Sequence, residues 1–190
     1  GGYWLWHRSN VSWAKSQVQR IDQLAKAGKT FEAFDLASSV QDYIPGDPDL
    51  AALMPTISDT LTVNSEPAGA QVYLKRFQPD ENGAFPDRQS IGTTPITGFR
   101  IPRGTQIVYL EKDGYAAVET IISSRLIKFA NNLVWNAVPP VEVSRKLVEA
   151  QVVPDKMTFV PGGEYRLASS TRPSTDKVKL DDYFIDKYEV

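Results

Sequence analysis

Between residues 61 and 122 short apolar runs alternate with turn-forming residues, a pattern that suits a small β domain and little else. Leu61 and Val63 alternate with polar neighbours, as do Ala70, Val72 and Leu74; this is the two-residue period of a half-buried strand. Pro67 and Gly69 break the text between them, because proline lacks a backbone donor and fixes φ. Asp113-Gly114 stands between Ile107-Val108-Tyr109-Leu110 and Val118-Ile121-Ile122. An Asp-Gly pair between β-prone runs predicts a two-residue hairpin turn of type I′, with positive φ at both central residues. Strands are expected over 61–65, 70–75, 105–112 and 115–122, closing a small antiparallel sandwich.

The text before this module is helical. Asn10 is placed to cap a helix starting near Val11, whose stripe is Val11, Ala14, Val18, Ile21 and Ala25, spaced by three and four residues. Gly28 suits a left-handed helix end. Thr30 offers a second N-cap, and Ala33, Ala37, Val40 and Ile44 make the next stripe. Asp47 offers a third cap, with Pro48 in the favoured first helical position, and Leu50, Leu53 and Ile57 follow. Pro55 is expected to kink or shorten that run by removing a donor. Short helices, tight turns and small residues resemble a tetratricopeptide-type hairpin. Only about one and a half units fit between residues 25 and 53, whereas stable arrays need about three. A hairpin packed on the β module is therefore expected over 10–60.

Composition removes several functions. The chain of 190 residues has no cysteine, one histidine (His7) and a net charge of −2. Disulfides, thiolate metal sites, a Cys nucleophile, a His-based triad and a multi-histidine metal site are thereby excluded within it. The charge gives no nucleic-acid footprint. No catalytic residue, cofactor or metal is expected, and the chain as given is read as no enzyme.

At the start, Gly-Gly-Tyr-Trp-Leu-Trp precedes His7-Arg8. That is far short of the roughly 20 apolar residues that cross a bilayer, and it is no signal peptide. Aromatic rings beside a basic pair suit the headgroup level at the end of a membrane helix; an apolar tail packing on the domain or lying disordered is the other reading of 1–9. The polar stretch 76–90 is long for a compact domain, with Phe77 and Phe85 as anchors. Its acids Asp80, Glu81 and Asp87 match no calcium-loop spacing, so a solvated extended hairpin is expected. Residues 133–141 read as a closing strand and rigid exit, and 141–156 as a connector.

Pro67-Ala68-Gly69-Ala70-Gln71-Val72-Tyr73, Gly92-Thr93-Thr94-Pro95, Arg103-Gly104 and Asp113-Gly114-Tyr115 resemble, in that order, the PEGA domain, a small β-sandwich of bacterial surface and envelope proteins. The resemblance implies a stalk or interaction module over 61–140, without a catalytic centre.

Met157-Thr158-Phe159-Val160-Pro161-Gly162-Gly163-Glu164-Tyr165 and the run from Val178 to Val190 resemble the opening of the formylglycine-generating, or sulfatase-modifying, fold. The family usually has Gly-Ser where this chain has Ala168-Ser169. The family's catalytic thiols and metal site lie further on than these residues reach, so 157–190 are expected to form only the truncated start of a second α+β domain.

The whole reads as α+β: helical hairpin, β-sandwich, truncated second domain. The order resembles the middle of large bacterial proteins in which a Ser/Thr protein kinase and a membrane helix precede such a region. It implies a non-catalytic spacer or interaction segment, membrane-associated through a preceding anchor and extracytoplasmic, in the periplasm or at the cell surface. Its partners would be a downstream domain and a protein, peptide or cell-wall glycan ligand. The competing reading is the amino-terminal part of a formylglycine-generating catalyst whose reactive residues lie beyond Val190.

Overall fold

A computed structural model describes residues 2–79, 82–124, 127–128, 134–135, 140–168 and 173–188. Three helices lead: α1 (Gly2–Lys26), α2 (Thr30–Val40) and α3 (Pro48–Ile57). Seven strands and two short pieces follow: β1 (Ser58–Glu66), β2 (Gln71–Arg76), β3 (Gln89–Thr93), β4 (Ile96–Pro102), β5 (Gly104–Glu111), β6 (Val118–Ser124), β7 (Ile127–Lys128), β8 (Val134–Trp135) and β9 (Val141–Lys146). A 3₁₀ turn (Ala150–Val152) leads to β10 (Met157–Val160), β11 (Gly163–Ala168), β12 (Pro173–Leu180) and β13 (Tyr183–Asp186). The class is α+β, as the sequence predicts.

The helices pack mutually, burying Ala14, Ile21, Ala33, Ala37, Val40, Ile44, Leu50 and Ile57. The stripes read from the sequence are these inner faces, and three helices rather than two complete the unit. The backbone of α1 starts at Gly2, not near Val11. Nothing between Gly2 and Asn10 breaks a helix, so Asn10 lies within the helix and caps nothing. At the other end Lys29 N–H donates to Leu24 O at 2.9 Å and Gly28 N–H to Ala25 O at 3.1 Å, the paired bonds of a Schellman ending. Asp47 caps α3 through Oδ1, which accepts from the N–H groups of Asp49 and Leu50 at 3.1 and 3.0 Å. Thr30 does not cap α2; its hydroxyl donates to Arg103 O at 2.8 Å. Pro55 lies inside α3, which ends two residues later.

Two sheets face each other across the main core. One has the order β4-β1-β9, the other β3-β2-β5-β6. Alternate residues of each turn inward: Leu61, Val63, Ile101 and Val143 from the first, Val72, Leu74, Val108, Leu110, Val118 and Ile122 from the second. Each such side chain contributes roughly 2 kcal/mol by leaving water.

The first sheet differs from expectation. It is mixed, because β9 runs parallel to β1, pairing Leu61 with Val141 and Glu66 with Lys146. What reads as a connector is therefore a core strand followed by a stitched segment. Leu147 N–H donates to Glu66 O, Ala116 N–H to Val148 O and Ala150 N–H to Gly114 O. Within 133–141, only Val134, Trp135, Pro140 and Val141 are among the described residues. The Asp113-Gly114 turn also differs. Tyr115 N–H donates to Lys112 O, Gly114 has φ +81°, and Asp113 is absent from the positive-φ positions, so it is a type II geometry rather than I′. Because Val148 and Glu149 pair along residues 115 and 116, the hairpin opens early and β6 begins only at Val118.

Beyond the sandwich, β10 pairs antiparallel with β13 and β11 with β12. Pro161-Gly162 joins β10 to β11, and Gly162 N–H donates to Asp182 Oδ1 at 2.7 Å. Phe159 is buried, with its ring 5.7 Å from that of Phe184. Leu180, Tyr183, Ile185 and Tyr188 are exposed.

Candidate interaction surface

The Pro102-Arg103-Gly104 turn between β4 and β5 sits under the helices and joins them to the sandwich. Arg103 N–H donates to Ile57 O at 2.9 Å, and its Nε to Pro55 O at 2.8 Å. Nη1 donates to Asp59 Oδ2 at 3.1 Å and to Ser124 Oγ at 3.0 Å, while Ser124 Oγ donates to the same Asp59 oxygen at 2.5 Å. Its carbonyl accepts from Thr30. One residue thus ties α2, α3, β1 and β6 together. The neighbouring Gly104 has φ +140°, and a Cβ there would stand 2.6 Å from Phe31 Cζ; the close seating of α2 requires glycine.

A second tie lies nearby. Arg76, at the end of β2, donates through both terminal nitrogens to the Asp35 carboxylate at 2.7 and 2.5 Å. The same guanidinium lies over the Phe31 ring, 5.0 Å from its centroid. Being exposed, this pair adds less than about 1 kcal/mol of strength, but its two-pronged geometry fixes direction.

Inside the sandwich, Thr94 holds the Pro-Ala-Gly-Ala turn. Its Oγ1 accepts from Gly69 N–H and Ala70 N–H, both at 3.0 Å, and lies 2.6 Å from Ser65 Oγ. Ser65 spends its one hydrogen on Pro67 O at 2.8 Å, so Thr94 donates to Ser65 and its hydroxyl is saturated.

On the outward face of the second sheet, Tyr73 pairs with Tyr109 across β2 and β5. Arg88, from the long 76–90 connection, lies over both rings, 4.4 Å from Tyr73 and 5.8 Å from Tyr109, and forms an ion pair with Glu111. The hydrogen bond to Glu111 raises the Arg88 pKa; desolvation opposes it, and the Coulomb attraction of Glu111 adds a lesser rise. Burial, then the nearby Glu119 charge, raises the Tyr109 pKa, partly offset by Arg88. The connection is thus fastened to the sheet at Arg88. Further along it Phe77 and Phe85 pair at 5.7 Å and stay about half exposed, with Lys75 over the Phe85 ring.

Of the three acids weighed as a calcium loop, Asp80 and Glu81 lie outside the described residues, and Asp87 is exposed. No group of three or more potential metal ligands occurs among the described residues. An open cleft of about 630 Å³ runs between Tyr109, Val118 and Glu119 on one side and Asp155, Met157 and Lys187 on the other. The sequence did not mark Arg103 or Arg88 as organising residues. For Arg103 a signal exists in the Pro-Arg-Gly turn, where a long cation sits between two backbone-constrained residues; Arg88 has none.

These features define a two-sheet β-sandwich with a helical unit locked on one end and an aromatic, cation-stacked outer face. Residues 58–128 match the PEGA domain family. The match runs from β1 to β7; the helices and β9, which completes the first sheet, lie outside it. No curated protein matches the chain. Among the described residues no helix is long and apolar enough to cross a membrane.

Proposed function

We propose that this chain is a non-catalytic spacer and interaction segment of a larger bacterial envelope protein, outside the cytoplasm. The observation that carries the reading is the Arg103 junction, which makes the helical unit and the sandwich one stiff body. A stiff body transmits position between whatever joins its two ends, whereas a flexible joint would not. At the helical end the joined element is a membrane anchor, in the context of a Ser/Thr kinase. At the other end it is a domain of sulfatase-modifying type. The resemblance of residues 157–190 supports this, as do the exposed Leu180, Tyr183, Ile185 and Tyr188, which suit burial against further structure. The outer sheet face around Phe77 and Phe85 is the surface for a peptide or cell-wall glycan.

The same resemblance favours the second reading, an amino-terminal part of a formylglycine-generating catalyst; a following thiol pair in the gene would identify it. The spacer reading is tested by distance. The chain has no cysteine, so Gln19→Cys and Gln71→Cys give one label on each body. Electron–electron dipolar spectroscopy is expected to return a single narrow distance that broadens in Arg103→Ala. A broad distribution in the otherwise unaltered chain would refute the reading.

A further inference from the structure

The first 21 residues differ in kind from the rest. Trp4, Trp6 and Trp13, three of the four tryptophans, fall there with Tyr3. Arg8, Lys15 and Arg20 fall there too, and none of the 23 Asp and Glu residues does. On a chain of net charge −2 this end is locally cationic.

All but the first of these residues belong to one helix, α1. Its inner stripe, Ala14 and Ile21 with Val11 and Val18, is taken up by the helical core. Ser12, Trp13, Ser16, Gln19 and Arg20 are exposed. A step of seven residues sets Trp13 and Arg20 along one line of a helix with 3.6 residues per turn. Trp13 is 45% exposed and meets Tyr43, 36% exposed, edge to face at 6.0 Å. Two large aromatic side chains thus support each other while facing water.

Their chemistry selects the partner. Indole and phenol have an apolar body with a polar edge and settle at the headgroup level of bilayers. Basic residues beside them suit anionic headgroups, each strengthening attachment roughly fivefold near a charged surface. A protein partner would need its own acidic patch; a bilayer supplies aromatic burial and negative charge together. We infer that the α1 face carrying Trp13 and Arg20, together with Tyr43, docks on the surface of an anionic lipid bilayer. The helical unit then lies against the membrane and the sandwich stands off it. Asp42, next to Tyr43 in sequence, opposes this attachment.

The test is cosedimentation of the full chain with vesicles of phosphatidylcholine alone and with about 30% phosphatidylglycerol. Binding is expected to the anionic vesicles only and to be released by salt. Trp13→Ala and Tyr43→Ala should each lower the bound fraction at least threefold, Arg20→Gln about fivefold, and Asp42→Asn should raise it. These positions are solvent-facing, and unchanged circular dichroism would confirm folding. The inference is overturned by no binding, by equal binding to neutral vesicles, by binding indifferent to Trp13→Ala and Tyr43→Ala, or by sedimentation without lipid. None of these outcomes bears on the label distances, so this inference and the spacer reading fail separately.

Discussion

The Arg103 guanidinium meets the Asp59 carboxylate at 3.1 Å with both side chains nearly buried, 13% and 9% exposed. Such a pair adds little net stability against an apolar substitute, but removing one partner strands the other charge. Arg103→Met is therefore expected to cost about 3–5 kcal/mol in urea unfolding. Arg103→Met with Asp59→Leu should recover part of that loss. A single change costing under about 0.5 kcal/mol would place it with ordinary surface substitutions.

Thr94 carries three hydrogen bonds on one hydroxyl. Thr94→Val keeps the shape and leaves the Gly69 and Ala70 N–H groups without that acceptor. A loss of about 1–3 kcal/mol is expected, with Thr94→Ser much milder, both read from denaturation midpoints.

Two glycines separate backbone strain from crowding. Gly114 has φ +81° with open space where a Cβ would go, so Gly114→Ala or Gly114→Val should cost about 1 kcal/mol or somewhat more from backbone strain alone. Gly104 combines φ +140° with the Phe31 ring at 2.6 Å. Gly104→Ala should therefore cost more than Gly114→Ala. The excess should shrink in a Phe31→Ala background, as a double-mutant cycle measures.

The raised pKa of Tyr109 comes from burial first and Glu119 second. The unfolded phenol loses its proton near pH 10, while the folded one still holds its own. Stability from this group is thus complete below about pH 10 and declines as pH rises through the folded value. Phenolate absorbance should show one late-titrating tyrosine, absent in Tyr109→Phe and shifted earlier in Glu119→Gln. Arg88→Gln should shift it later, because Arg88 lowers that pKa.

The central strands β1, β2, β5 and β6 were legible because their inward residues alternate strictly, as did the Gly28 and Asp47 helix ends. β9 was not. Its text, Val-Glu-Val-Ser-Arg-Lys, buries only Val143, and its partner β1 lies far off in sequence with nothing local to announce a parallel pairing. β4 is interrupted by Gly98 and ends in proline, which hides its period. Thr30 obeys the local N-cap preference only in sequence, since the Arg103 carbonyl takes its hydroxyl. Arg103 and Arg88 gain their roles from residues brought near by the fold, and no pattern in the text carries that.

The claim that the helical unit and the sandwich behave as one body is tested most directly by native-state amide exchange. In the unaltered chain, amides in the middle of α2, from Ala37 to Val40, should open with the same free energy as those of β2 and β5. In Arg103→Ala, β2 and β5 should exchange faster by the global stability lost, and α2 should quicken at least tenfold more than they do. An α2 that already exchanges far faster than β5, at a rate indifferent to Arg103→Ala, would contradict the account.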